Sequence, residues 1–132
     1  MIVDTVMKLK TGTKMHILAP LIRGRKGVHK STIDETRKEG FLRIRIDGEV
    51  MSIDDKIQLN KNKKHTIEVV IDRLILKDKI HERLTESIEL ALKIGNGLVI
   101  INELYYYSFF VIFIFCLVRH RCCFLKTNTV LP

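Results

Sequence analysis

The feature that most constrains the fold is a strictly alternating segment, residues 41–46, that ends in an Asp-Gly pair. Because successive side chains of a strand point to opposite faces, this segment predicts a strand with two distinct faces. One face carries Leu42, Ile44 and Ile46, and the other carries Phe41, Arg43 and Arg45. Asp47 and Gly48 predict a tight hairpin turn into a second strand, Glu49–Ile53, since glycine accepts the positive φ that such turns need.

Three other segments predict strands. The run His65–Leu76 is dense in β-branched residues, which favour the pleated surface of a long strand. Met15–Pro20 is apolar enough for a shorter strand, with Pro20 marking its end or an edge position. The segment Arg23–Gly27 then predicts a basic glycine loop, and Leu98–Ile101 predicts a last strand.

Helices are predicted between these strands, after a helix end over Ile2–Leu9. Ser31 can cap a short helix, with Asp34 as a weak capping-box partner and Gly40 as its left-handed stop. A second helix is strongly amphipathic and ends at Gly95–Gly97. Its apolar face carries Ile80, Leu84, Ile88, Ala91 and Leu92, and its polar face carries Glu82, Glu86, Glu89 and Lys93.

The order of these elements predicts an α+β fold. We expect a mainly antiparallel sheet with two helices packed on one face, plus an apolar C-terminal tail that is helix-like. A chain of 132 residues suits a single domain with one core.

The composition changes sharply near residue 103. No Asp or Glu follows Glu103, all three cysteines lie beyond it, and Leu104–Val118 is an uninterrupted apolar run. We therefore expect a domain over residues 1–102 and an apolar tail, residues 103–132, that is unrelated to it. A shifted reading frame or broken gene would explain the change. A membrane anchor is the other explanation, although the run is shorter than the roughly 17–25 residues that span a bilayer.

Nothing in the sequence indicates catalysis. The five histidines are scattered singly, and the acidic pairs lie at a helix start or in a loop, where acids serve capping and solvation. His120, Cys122 and Cys123 are close together, but adjacent cysteines point apart and a fourth metal ligand is missing. The glycines Gly24 and Gly27 do not have the spacing of a nucleotide-binding loop.

The arginines of the predicted sheet are more informative. Arg43 and Arg45 share a strand face with Phe41, and Arg73 lies inside the next strand. Guanidinium groups held by a sheet suit bidentate pairing with carboxylates, and arginine beside an aromatic ring is typical of protein interfaces. The alternative is a solvated face with cross-strand ion pairs to Glu49 or Asp72.

Several runs of the first three quarters of the chain, in their order and spacing, resemble one segment of UvrA, the damage-recognition ATPase of bacterial nucleotide excision repair. The runs are Ile17–Pro20, Arg23–Gly27 with His29 and Lys30, Arg43–Glu49, Lys61–His65, Val69–Arg73 and Leu84–Leu92. In that family the segment is inserted into the first ATPase half and docks UvrB, the helicase-like partner.

The resemblance implies a UvrB-docking domain whose contacts include arginines. Arg43 and Arg73 match the family's motifs, whereas Arg45 is added because of its strand face and Arg25 because of charge alone. The chain has no Walker A loop, ABC signature or Cys-x-x-Cys module. We therefore expect no catalysis and no cofactor here, although the whole UvrA-type protein uses ATP and zinc and is a dimer.

The same resemblance implies a cellular location, an oligomeric state and a set of partners. We expect a cytoplasmic, monomeric fragment that contacts UvrB, touches DNA only weakly or indirectly, and does not contact membranes. The first 103 residues lack cysteine, which suits a reducing compartment. Two other functions stay open: a membrane-anchored adaptor that depends on the tail, and a small basic nucleic-acid-binding domain. The latter would use Arg23, Arg25, Lys26 and Lys61–Lys64, and the net charge of +8 is compatible with it.

Overall fold

The computed structural model describes residues 2–104, 112–118 and 121–125. Three helices and seven strands occur in these ranges. In chain order they are α1 (Ile2–Met7), β1 (Lys14–Lys26), α2 (Lys30–Lys38), β2 (Arg43–Ile46), β3 (Glu49–Ser52), β4 (Lys64–Ile75), α3 (His81–Ile94), β5 (Leu98–Leu104), β6 (Ile112–Val118) and β7 (Arg121–Leu125).

The chain divides into two compact units. Unit A comprises Met1–Ala19 and Ile71–Pro132, and unit B comprises Pro20–Val70. The strand order is β4-β1-β5-β6-β7 in unit A and β3-β2-β4-β1 in unit B. Antiparallel pairing joins β1 to β5, β2 to β3, β2 to β4, β5 to β6, and β6 to β7. The predicted α+β class with a mainly antiparallel sheet is confirmed.

In unit A the core forms where α3 contacts β5 and α1. Leu84, Ile88 and Ala91 of α3 are buried, as its periodicity predicted, and the predicted polar face is exposed. From β5, Val99 and Ile101 are fully buried. Burial of such apolar side chains supplies the main driving force for folding this unit. The predicted helix stop is also confirmed, because the helix ends at Ile94.

In unit B the core is built on the predicted hairpin. Asp47 and Gly48 both have positive φ, at 50° and 91°, so the turn between β2 and β3 has the expected geometry. The register places Ile44 opposite Val69 and Ile46 opposite Ile67, and all four side chains are buried. The core also includes Ile33 of α2 and Ile53, which follows β3.

The first strand is longer than the sequence predicted. β1 continues through Pro20 and through the segment predicted as a basic loop, and it ends only at Lys26. Pairing with β5 ends at Leu18. The absence of an N–H at Pro20 therefore removes no hydrogen bond between β1 and β5. Within β1, Gly24 has a φ of 60°, and its N–H donates to Thr66 Oγ1 at 3.2 Å. Tertiary pairing therefore overrides the local glycine signal.

The start of α2 also differs from its prediction. The N-cap residue is His29, with a φ of 48°, rather than Ser31, and it makes no side-chain capping bond. His29 Nε2 instead bonds Arg25 O at 3.0 Å, so its side chain is already engaged. The predicted stop at Gly40 is confirmed by a φ of 89° and by an N–H that donates to Arg37 O.

The expectation of a helix-like tail is wrong for residues 112–118 and 121–125. These residues form β6 and β7, which extend the sheet from β5 by antiparallel pairing. The reason is local composition, because β-branched and aromatic residues such as Val111–Phe115 favour strands over helices. His120 lies outside the described residues. Among the helices described, none has the length and apolar character needed to cross a membrane.

The turn geometry makes Gly48 a sensitive position. A Cβ at Gly48 meets no atom within 4 Å, so only the backbone conformation opposes substitution. We expect Gly48→Ala to lower the free energy of unfolding by about 1–2 kcal/mol, the cost of a left-handed conformation for an L-residue. Urea denaturation measures this change. Gly48→Asn is the control and should lose less, because asparagine tolerates this conformation; equal losses would contradict the explanation.

Candidate functional site

The two arginines of β2 lie in different environments. Arg43 is exposed, whereas Arg45 is 6% exposed although both belong to the same strand. Strand alternation places both side chains on the face opposite to the buried Ile44. Leu42, which precedes the strand, is 73% exposed, although the alternating pattern grouped it with the apolar face. Exposure on this hairpin is therefore decided by neighbouring strands as well as by alternation.

Arg45 is held by Glu68, which lies directly opposite it on β4. Its Nε donates to Glu68 Oε2, its Nη2 forms an ion pair with the same oxygen, and the Glu68 side chain is buried with it. Burial raises the pKa of Glu68, and the neighbouring guanidinium partly offsets that rise. Arg45 therefore lacks the accessible surface expected of a partner-binding residue. Its partner is also neither Glu49 nor Asp72, the two acids considered for such cross-strand pairs.

Arg73 occupies β4 in unit A, beside an aspartate that is tied to α3. Asp72 accepts two hydrogen bonds from Arg83, both at 2.9 Å, and one from Ser87 at 3.0 Å. Burial would raise the pKa of Asp72, but these bonds and the Arg73 N–H outweigh it, and the pKa is lowered. Since α3 covers the Asp72 side, alternation places the exposed Arg73 side chain on the other face of the sheet.

A cavity of about 340 Å³ lies beside Arg73 in unit A. Its lining contains two cationic side chains, Lys14 and Arg73, a histidine and no acidic residue. The lining residues are Lys14, Met15, His16, Arg73, Leu74, Ile75 and Leu104. Apolar walls lower the local dielectric constant, which strengthens the attraction of these basic groups for an anionic group. The cavity is therefore suited to an acidic group attached to an apolar surface.

Arg25, the fourth candidate, is exposed near the end of β1 in unit B. Its carbonyl oxygen is bonded to His29, but no ion pair of the described residues includes its guanidinium. The same holds for Arg43 and Arg73. Three of the four candidate arginines are therefore accessible cations, and Arg45 is a structural residue.

The structure also contains a histidine network that the sequence did not reveal. His65 Nδ1 is 2.7 Å from Asp47 Oδ2, and Nε2 is 2.9 Å from Asn60 O. Two acceptors require two donated protons, so the hydrogen bond to Asp47, followed by that to Asn60, raises the pKa of His65. Asp47 Oδ1 also accepts from the Thr66 N–H at 2.8 Å. His65 and Asp47 are 18 residues apart, so the sequence alone did not indicate that they pair.

The network also affects the aspartate of the hairpin turn. Burial works to raise the pKa of Asp47, but the bonds from His65 and Thr66 outweigh it, so the pKa is lowered. The turn is thereby fixed to β4 by a charged pair as well as by backbone bonds. In the part of the chain that the structure describes, no group of His, Cys, Asp and Glu is arranged to hold a metal ion. The side chains of Cys122 and Cys123 lie outside the described residues.

The described residues thus define a small α+β domain that presents arginines from its strands, an arrangement typical of protein-binding domains. Residues 1–104 match the family model of the UvrA interaction domain. This match covers most of the chain, and the chain therefore belongs to the UvrA interaction domain family.

Curated relatives of the same family are much longer proteins. UvrABC system protein A of Clostridium acetobutylicum is 56% identical over 102 residues, which are 76% of this chain and 11% of that protein. The proteins of the same name from Listeria monocytogenes serotype 4b and Bacillus subtilis are each 47% identical over 100 residues, 76% of this chain and 10% of theirs. The chain thus spans about a tenth of the length of these relatives.

The buried pair predicts a large and recoverable loss of stability. We expect Arg45→Met to lower the free energy of unfolding by about 3–5 kcal/mol, because it leaves the Glu68 carboxylate buried without its partner. Adding Glu68→Leu should restore most of the loss, since no buried charge then remains. Thermal or urea unfolding of the two variants measures this. A double variant as unstable as the single one would argue against the explanation.

The His65 network predicts that stability depends on pH. Since the pKa of His65 is raised, its contribution is complete below the ordinary value of 6.5 and disappears as pH rises through the folded-state value. Since the pKa of Asp47 is lowered, its contribution is complete above the ordinary 3.8 and disappears as pH falls through the folded-state value. The pair therefore stabilises most between these two ordinary values.

Asp47→Asn tests this, because asparagine keeps the turn conformation and removes the charge together with one of the two acceptor oxygens. We expect the loss of unfolding free energy to be larger at about pH 5.5 than at about pH 9, because the contribution of the raised His65 pKa is lost as pH rises. Asp78→Asn, at an exposed turn, is the control and should have the same effect at both pH values. A pH-independent effect of Asp47→Asn would exclude the charged pair.

Proposed function

We propose that this chain is a protein-docking domain that binds UvrB, the partner of UvrA in the UvrABC nucleotide excision repair system. The observation that carries the proposal is the match of residues 1–104 to the UvrA interaction domain, together with two accessible arginines at the motif positions. In the proposed role, the domain recruits UvrB so that damaged DNA passes from one component to the next.

Arg43 supports the proposal by its geometry. Its backbone is fixed by pairing with Ser52 in the hairpin, so little backbone entropy is lost when its side chain binds. A guanidinium offers two parallel N–H donors to one carboxylate, which lysine cannot do. The exposed Leu42 beside it supplies apolar area that a partner can bury. A charged anchor next to an apolar contact has the composition of an interface hot spot.

Arg73 supports the proposal through the cavity that it lines. An acidic side chain of the partner that entered this cavity would meet Arg73, Lys14 and His16 together. It would also contact the apolar walls, so water would be excluded around the ion pair. Desolvated, hydrogen-bonded charge pairs contribute much more to binding than exposed ones do.

The other two arginines have different places in the proposal. Arg45 holds the hairpin to β4 and acts on the partner only by keeping Arg43 in position. Arg25 enters on charge alone. We assign no catalysis and no cofactor to this chain. ATP and zinc belong, by family resemblance, to parts of UvrA-type proteins outside the segment matched here.

Calorimetric titration of the full chain with purified UvrB tests the docking role. We expect saturable binding that weakens with added salt, because charged groups of opposite sign meet at the interface. Arg43→Glu and Arg73→Glu should each weaken binding by at least about 30-fold, the effect of losing a hot spot of about 2 kcal/mol.

A charge-matched control separates these contacts from net charge. Lys63→Glu and Lys77→Glu change exposed lysines, one in each unit, by the same number of charges. They should leave the affinity within about threefold, since surface substitutions away from an interface have small effects. Equal losses in the control and arginine variants would reject the assigned contacts. A folded wild-type chain that does not bind UvrB would reject the function.

A further inference from the structure

A second surface of unit B is built from two segments that contain no acidic residue. Residues 21–33 and 56–67 together hold eight Lys and Arg and no Asp or Glu. The basic residues are Arg23, Arg25, Lys26 and Lys30 in the first segment, and Lys56, Lys61, Lys63 and Lys64 in the second. These segments are far apart in sequence, so their positions in the fold decide whether they act together.

The fold brings the end of β1 to the beginning of β4. The Gly24 N–H donates to Thr66 Oγ1 at 3.2 Å, which ties the first segment to the second. On the first segment, the bond between His29 and Arg25 O folds the residues after β1 back onto the strand end. On the second, the bond between His65 and Asn60 O does the same for the loop before β4. Seven of the basic residues therefore lie at one end of the unit B sheet, whereas Lys56 follows Asp55, which is bonded to Ser52 at the other end of the hairpin.

These charges are available to an external anion. All eight basic residues are exposed, and none takes part in an ion pair within the described part of the chain. One carboxylate that contacts this region is that of Asp47, and its Oδ2 is bonded to His65 Nδ1 at 2.7 Å. A cluster of like charges without ion-pair partners repels itself and attracts anions, so its position at one end of the sheet favours a binding role over a structural one.

We infer that this cluster, defined by the seven basic residues other than Lys56, binds the phosphate backbone of duplex DNA without sequence preference. Lys and Arg neutralise phosphates and release condensed counterions, which drives association and makes it depend on salt. A Cβ at Gly24 would meet no atom within 4 Å, so the backbone there is open to close approach. Binding of this kind is weak, with a Kd of about 10⁻⁴–10⁻⁶ M near physiological salt.

The basic cluster is separate from the docking arginine of the same unit. On β2, Arg43 precedes Ile44, which pairs with Val69 of β4, whereas Lys64 lies five residues earlier on that strand. At about 3.3 Å per residue, the two positions are about 16 Å apart along β4. DNA contact at the cluster therefore leaves Arg43 accessible, and the inference does not depend on the UvrB-docking proposal.

Fluorescence anisotropy with a labelled random duplex, measured over a series of salt concentrations, tests this inference. The test variant of the full chain carries Arg23→Gln, Lys26→Gln, Lys63→Gln and Lys64→Gln, and it keeps Arg25 because that residue is a candidate for UvrB docking. If each group contacts a phosphate, the slope of log K against log salt should become shallower by about 3. The control carries Lys8→Gln, Lys77→Gln, Lys79→Gln and Lys93→Gln, which remove the same charge from exposed positions of unit A.

The control should keep the wild-type slope. A wild-type chain that does not bind the duplex, or equal losses in the two variants, would overturn the inference. Loss of binding to phosphatidylglycerol vesicles in the test variant, with unchanged DNA binding, would also overturn it in favour of a lipid surface. Calorimetry with UvrB on both variants tells the two proposals apart, because the inference predicts normal docking in a variant that has lost DNA binding.

Discussion

The buried pair of Arg45 and Glu68 is the interaction on which unit B depends most. Two charges removed from water require each other, because either one alone would face the full cost of desolvation. Their pairing fixes the register between β2 and β4, and that register also places the Ile44 and Ile46 side chains in the core. The same pair determines which arginine of β2 is accessible to a partner. Arg45 is buried in the pair, whereas Arg43 is exposed.

Sequence periodicity was sufficient to predict most of the helices and strands and the hairpin, because these follow from local alternation and turn chemistry. It could not separate Arg43 from Arg45, since alternation assigns a face to a residue but not its depth in the sheet. Depth depends on the residue opposite, and Glu68 is 23 residues away. The candidate arginines could therefore be predicted as a group, whereas their different roles required the structure.

The predictions for β1, for the start of α2 and for His65 failed for the same reason, because each used local signals alone. A glycine-rich basic segment has strong local signals for a loop, yet pairing of β1 carries the strand through it to Lys26. Ser31 is a better intrinsic cap than His29, but the contact between His29 and Arg25 O starts the helix two residues earlier than a cap at Ser31 would. His65 looked isolated because its two acceptors come from a turn and a loop. Long-range hydrogen bonds decided each case.

The basic end of β1 also affects self-association of the molecule. In unit B, β1 is the last strand of the order, and its pairing with β5 has already ended at Leu18. An open strand edge is a template on which a second copy can add a strand and begin a fibre. Arg23, Arg25 and Lys26 lie along this end of β1 and repel an identical neighbour. The basic end of the sheet is thus also its protection against edge-to-edge aggregation.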